Sequence, residues 1–139
     1  MRYLGLDLGS KTLGIAVSDA TGMIASNYGV IRHNEEYRSL IPKIADIVSE
    51  KNVKEIVLGL PKNMNNTIGE KGNLSIWFQK ELESKLKLPV HLVDERLTTV
   101  QAQNLLLQND TSRKKRRQVV DGVAATIILQ SYLDQKGKR

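Results

Sequence analysis

The sequence has no cysteine, two histidines and three prolines among 139 residues, and it contains no long apolar run. Without cysteine there is no disulfide scaffold, no thiolate zinc site and no cysteine nucleophile. His33 and His91 stand far apart and lack partners at ligand spacing, so neither an imidazole-rich metal site nor a Ser-His-Asp arrangement is expected. No stretch approaches the ~20 apolar residues of a membrane span, and the N-terminus lacks a basic-then-apolar signal layout. The expectation is a soluble, cytoplasmic protein without a membrane partner. No repeat, low-complexity stretch or linker-like segment divides the chain, which points to a single domain over residues 1–139. That length is enough to bury roughly two-thirds of the unfolded chain's surface.

What the chain does have is positive charge in one place. Residues 1–110 hold 13 basic and 13 acidic side chains, while residues 111–139 hold 8 basic and 2 acidic, so the whole net charge of +6 resides in that last segment. Such asymmetry suits an anionic partner, most simply nucleic acid; a solvated basic tail is the plainer alternative.

Hydrophobic periodicity gives the order β-β-β-α-β-α-β-α-α. Arg2 to Leu8 alternates, with Leu4, Leu6 and Leu8 on one face and Tyr3, Gly5 and Asp7 on the other. Thr12 to Ser18 alternates again after the turn Gly9-Ser10-Lys11, and a third apolar segment runs from Met23 to Ile31 after Ala20-Thr21-Gly22. Three strands on short turns imply an antiparallel meander. Leu40, Ile41, Ile44, Ala45, Ile47 and Val48 then form a helical stripe, and Glu55 to Leu58 suits a central strand covered on both faces. A polar loop from Gly59 to Asn73 leads to a helix through Trp77, Phe78 and Leu82, then to a strand from Val90 to Val93. Helices over about Thr99–Leu107 and Arg113–Leu133 close the chain. The fold class is α/β, a mixed sheet flanked by helices.

Acids fall at three unusual places. Asp7 lies near the end of the apolar first strand, Asp94-Glu95 ends the last strand, and Asp121 shares a helix face with Ala124, Ala125 and Ile128. A carboxylate on so small and apolar a face is costly unless paired, hydrogen-bonded or bound to a metal. Strand ends of an open α/β sheet gather on one edge, where sites tend to form. Clustered carboxylates there suit Mg²⁺ or Mn²⁺, and two such ions about 4 Å apart can assist cleavage of a phosphodiester. Alternation puts Asp94 and Glu95 on opposite faces, so one of them would bind metal, and the sequence leaves open which. Plainer roles are available too. Asp7 can cap a turn, Asp94 can cap the helix beginning near Thr98, and Asp121 can pair with Arg117 one turn earlier.

Arg113, Lys114, Lys115, Arg116 and Arg117 follow Thr111 and Ser112, both suited to cap the helix there. Five cations beside the positive end of a helix dipole destabilise the helix, which phosphate contacts explain better than chance. Lys11 and Arg96 flank the acids and are further candidates for holding phosphate. Gly5 to Gly9 also fits the phosphate-approach turn of sugar kinases and Hsp70-type ATPases, but those require a second domain for which 139 residues are too few. Trp77 and Phe78 could stack on bases, yet Leu74 and Leu82 around them favour core packing.

Taken together, Gly5-Leu6-Asp7-Leu8-Gly9-Ser10-Lys11 with Gly14 to Asp19, Gly59-Leu60-Pro61 with Asn63-Met64, Asp94 to Thr99, and Val120-Asp121 with Ala124-Ala125 and Ile128-Leu129-Gln130 resemble, in order, the signatures of the YqgF family. Its members are known as pre-16S rRNA nucleases or Holliday junction resolvase-like proteins. The resemblance covers essentially the whole chain and implies a ribonuclease H-like fold with a mixed five-stranded sheet. It also implies Asp7, Glu95 and Asp121 as catalytic and metal-binding acids, and it selects Glu95 over Asp94. Thr12-Leu13 stands where many relatives carry Arg-Ile, and Asn66 and Glu70 replace a frequent Gly and Pro, which bears on loop shape and substrate grip. The implied function is a Mg²⁺- or Mn²⁺-dependent nuclease maturing the 5′ end of pre-16S rRNA, with pre-rRNA or the small-subunit precursor as partner. The alternatives are a junction-cutting DNA endonuclease, which requires a two-fold homodimer, and a non-catalytic nucleic-acid or ribosome-binding module.

Overall fold

The computed structural model describes residues 1–61, 68–94 and 113–137, with side chains of the last helix described from residue 123 onward. Five strands, β1 (Arg2–Leu8), β2 (Thr12–Ser18), β3 (Ala25–Arg32), β4 (Val53–Leu60) and β5 (Val90–Asp94), form one sheet in the order β3-β2-β1-β4-β5. β1, β2 and β3 pair antiparallel, whereas β4 pairs parallel to both β1 and β5. Among the described residues three α-helices accompany the sheet: α1 (Leu40–Lys51), α2 (Glu70–Leu86) and α3 (Arg113–Gly137). This is the mixed α/β architecture that the periodicity implies. The read helix over about Thr99–Leu107 and the caps at Thr111 or Ser112 lie outside the described residues.

The two faces of the sheet carry different side chains, and that difference sorts the helices. Leu4 and Leu6 of β1, Leu13 and Ile15 of β2, and Ile56 and Leu58 of β4 pack with Leu40, Ile44 and Ile47 of α1 and with Phe78 and Leu82 of α2. The opposite face is smaller. Tyr3, Ala16 and Val57 meet Ala125, Ile128, Leu129 and Leu133 of α3 there. A central parallel strand such as β4 is thus covered on both sides, which accounts for its uninterrupted apolar run. Phe78 is fully buried, so it packs in the core, and Trp77 leans on that core beneath the Arg38 guanidinium, 5.4 Å from its ring centre. The outer edge of β5 is blunted at Val90, whose N–H donates to the Glu83 carboxylate (3.3 Å) and whose carbonyl accepts from the Gln79 amide (2.7 Å).

Several element boundaries differ from the periodic reading. β4 continues through Gly59 and Leu60 because both pair with β5, and α2 begins at Glu70, so the connection between them is shorter than the composition suggests. β3 begins at Ala25, two residues later than the apolar run. Met23 and Ile24 instead form part of a turn whose N–H groups donate to the Asp19 carboxylate (3.0 and 3.2 Å), leaving their side chains 68% and 62% exposed. The Thr21 hydroxyl donates to the same carboxylate at 2.6 Å.

These bonds, led by that of Thr21, lower the Asp19 pKa from 3.8 to about 2. A carboxylate held below its unfolded value stabilises the native state above pH 3.8, and that contribution disappears as the pH falls through about 2. The stability difference between wild type and Asp19→Asn is therefore expected to shrink between pH 3.8 and about 2. Urea midpoints of both proteins at a series of acidic pH values measure it, and a difference independent of pH would contradict the assignment.

Under α3, Glu55 of β4 has a side chain only 16% exposed and meets His91 Nε2 at 2.6 Å and Lys136 Nζ at 3.7 Å. The His91 ring stacks on Tyr132 with centroids 5.0 Å apart. Lys136 also donates to the Tyr3 hydroxyl, and that bond holds its ammonium above the ordinary lysine range. Replacing His91 by Leu leaves a largely buried carboxylate oxygen without its closest partner, an expected loss of about 1–3 kcal/mol. The double variant His91→Leu/Glu55→Leu should recover part of that loss, because no buried charge is then left behind. Chemical denaturation of the two variants tests this.

Candidate active site

β1, β4 and β5 run parallel, so their C-terminal ends share one edge of the sheet. Register makes the alignment specific: Leu6 pairs with Leu58 and Leu58 with Leu92, forming one row across three strands. Asp7 lies one residue beyond that row and Asp94 two residues beyond it. The faces differ, however. Tyr3 touches Tyr132 of α3 (ring centroids 5.9 Å apart), and a Cβ on Gly5 would lie 2.7 Å from Leu129 Cβ and 3.0 Å from the Ala125 carbonyl oxygen. Asp7, the next residue on this face, is half-buried on the α3 side of the sheet. Asp94 follows Val90 and Leu92, which pack on the opposite core, and it is exposed.

The same contacts give the direction of α3. Tyr132 lies over Tyr3 while Ala125 and Leu129 lie over Gly5, so the helix runs antiparallel to β1. Its far half is pinned by the Gln130 side chain, whose Oε1 accepts from Ala25 N–H and whose Nε2 donates to the Met23 carbonyl, both at 2.9 Å. The helix backbone at Asp121 falls one turn before Ala125, and Arg113, Lys114, Lys115, Arg116 and Arg117 form its opening turns. Glu95 and Arg96 lie outside the described residues. Lys11 is exposed in the β1–β2 turn, 3.9 Å from Glu35, with side chains 70% and 56% exposed, a solvated pair of little energetic consequence.

The structure thus brings Asp7 and the α3 crossing together on one face and separates Asp94 from them. Among the described residues no group of three His, Cys, Asp or Glu side chains is close enough to enclose a metal ion. Asp7 itself supplies what a hard cation requires, a carboxylate oxygen on a half-buried face at a strand end.

Sequence reasoning missed His33. Its backbone N–H donates to the Lys11 carbonyl (2.9 Å), its Nδ1 accepts from Glu35 N–H (3.0 Å), and its Nε2–H donates to the Gly9 carbonyl (2.9 Å). Because its partners are main-chain atoms, no side-chain spacing announces them. The ring ties the end of β3 to the turn that follows Asp7.

Sheet order and helix placement define a ribonuclease H-like α/β fold. A family model described as "RuvX: Holliday junction resolvase" matches residues 1–135, and the chain belongs to this family. A protein of Geobacillus sp. (strain WCH70) named "Putative pre-16S rRNA nuclease" is 51% identical over 137 residues, 98% of this chain and 99% of that protein. One of the same name from Ligilactobacillus salivarius (strain UCC118) is 48% identical over 139 residues, 99% of this chain and 95% of that protein. Among solved structures, Thermus thermophilus RuvC in complex with a Holliday junction substrate matches with TM-score 0.62 and 14% identity, covering 99% of this chain and 96% of that one. That likeness is one of fold. The family expectation drawn from the motifs therefore holds over nearly the whole chain.

Proposed function

We propose that this protein is a divalent-metal-dependent nuclease that processes the 5′ end of pre-16S rRNA, a task that would place it in the cytoplasm. The observation that carries the reading is Asp7, held at the end of β1 on the face that α3 crosses. Two strand residues advance about 6.8 Å and four helical residues about 6 Å, so the step from Gly5 to Asp7 matches the step from Ala125 back to Asp121. Strand alternation supports Glu95, rather than Asp94, as the third acid. The names of the close relatives support precursor rRNA as substrate.

In this reading Asp7, Glu95 and Asp121 would hold Mg²⁺ or Mn²⁺, which supplies positive charge against the scissile phosphate and its leaving oxygen. Lys11, Arg96 and the run Arg113 to Arg117 bind flanking phosphates by charge-assisted hydrogen bonds and orient the strand for in-line attack. The basic residues hold the backbone at either side of the reacting phosphate.

The test is to incubate wild type and Asp7→Asn with a pre-16S rRNA fragment and with a four-way DNA junction, each with Mg²⁺, Mn²⁺ or chelator. Metal-dependent cleavage of the RNA, lost in the variant, is the expected result. Symmetric cutting of the junction instead, by a two-fold dimer, would replace RNA with DNA as substrate, in keeping with the family description. Salt-dependent binding with no cleavage under any condition would make the protein a binding module.

A further inference from the structure

Arg32 ends β3, opposite Thr12 of β2. Residues directly opposite each other on paired strands share a face. On β2, Ala16 packs against α3, and Gly14 and Thr12 follow it on that face; Asp7 pairs with Gly14. On β3, the preceding residue Ile31 packs on the opposite core. Arg32 therefore stands on the same face of the sheet as Asp7. It also stands at the same end, two strands across and two residues further toward the edge, or about 12 Å between α-carbons from ordinary strand dimensions.

Three observations distinguish this guanidinium from a stray surface charge. The first is that it is unengaged. Arg2 donates to the Ser18 carbonyl, and Arg38 pairs with Glu81 at 3.4 Å over Trp77, whereas exposed Arg32 has no hydrogen-bond or ion-pair partner among the described residues. The second is that its position is fixed. His33, the next residue, ties β3 to Lys11 and Gly9 of the turn that follows Asp7, so the spacing between Arg32 and Asp7 is set by hydrogen bonds. The third is the company it keeps. Gln130 binds α3 to Ala25 at the start of β3, and α3 runs antiparallel to β1, so its opening basic turns lie toward the Arg32 end of the sheet.

We propose that Arg32, held in place by His33, binds a backbone phosphate of the nucleic-acid strand whose neighbouring phosphate sits at Asp7. The strand crosses the sheet edge between the basic start of α3 and the ends of β2 and β3. An arginine suits this task because its fork can engage two phosphate oxygens at once. The inference rests on the nuclease reading but is tested apart from it, because binding is measured in chelator, where nothing is cut.

The probe is a fluorescently labelled pre-16S rRNA fragment, titrated at several salt concentrations with wild type, Arg32→Gln, Arg32→Lys and Arg38→Gln. Loss of one phosphate contact should weaken Arg32→Gln by about 3–10-fold near 0.1 M salt and reduce the slope of log K against log salt by about 1. Arg32→Lys should keep most of the slope, as a point charge, and Arg38→Gln should match wild type. In metal-dependent cleavage the Arg32→Gln loss should fall on KM more than on kcat. A wild-type slope and affinity in a folded Arg32→Gln protein would overturn the proposal while leaving the nuclease reading intact. Equal losses in Arg38→Gln would overturn it too, by reducing the effect to overall charge. A wild type that binds but never cleaves would instead overturn the nuclease reading and leave the Arg32 contact standing.

Discussion

Asp7→Asn is expected to lower metal-dependent cleavage by about 10²–10⁴-fold, the equivalent of several kcal/mol of transition-state stabilisation. The substitution is nearly isosteric, so the fold should persist. Asp7 occupies the last α3-facing position of β1, beyond a contact at Gly5 too tight to admit any side chain. An amide there retains one acceptor oxygen but lacks the charge that draws a hard cation. Affinity for nucleic acid in chelator should be retained or even rise, because one negative charge facing the phosphates is gone. Cleavage, binding and thermal unfolding measured on the same preparation separate this outcome from misfolding. Near-wild-type cleavage by the variant would remove Asp7 from the mechanism.

Gly5→Ala should cause a clear loss of stability by overpacking the contact between β1 and α3. The new Cβ would lie 2.7 Å from Leu129 Cβ and 3.0 Å from the Ala125 carbonyl oxygen. Neither is the movable tip of a long side chain, so α3 itself must lift. Overpacking of this kind costs about 1–3 kcal/mol, or a Tm lower by roughly 3–10 °C for a chain of this size. In the proposed site, lifting the helix also carries residue 121 away from Asp7. Cleavage should therefore fall even at temperatures where the variant is fully folded, whereas a helix held only for stability would leave folded enzyme fully active. Calorimetry together with single-turnover cleavage well below the Tm distinguishes the two.

Much of this geometry is legible in the residues, because alternation and helical stripes report burial directly. β1 and β2 have the bounds that their alternation implies, and the continuous run in β4 reflects its two covered faces. Where tertiary contacts decide, the residues mislead. Met23 and Ile24 look like strand, but a carboxylate four and five positions earlier captures their N–H groups. Gly59 and Leu60 look like loop, but β5 offers them a ladder. Of the candidate site, Asp7 is readable from its odd position on an apolar strand. The preference for Glu95 needed the family signature, and only the packing of Val90 and Leu92 shows that Asp94 belongs to the other face. His33 could not be found, since a histidine that binds carbonyls leaves no trace in side-chain spacing.

The antiparallel passage of α3 over β1 has a consequence for how the chain can change length. Two strand steps and four helical residues advance by nearly the same distance, so strand and helix act as two rulers whose divisions coincide at Tyr3 and Gly5. One residue inserted between positions 125 and 129 would turn everything before it by about 100° relative to the strand. Insertions between Ala125 and Tyr132, or between Tyr3 and Gly5, therefore break this match, while connections between elements are free to vary. Phase, more than any single contact, is what this part of the chain must conserve.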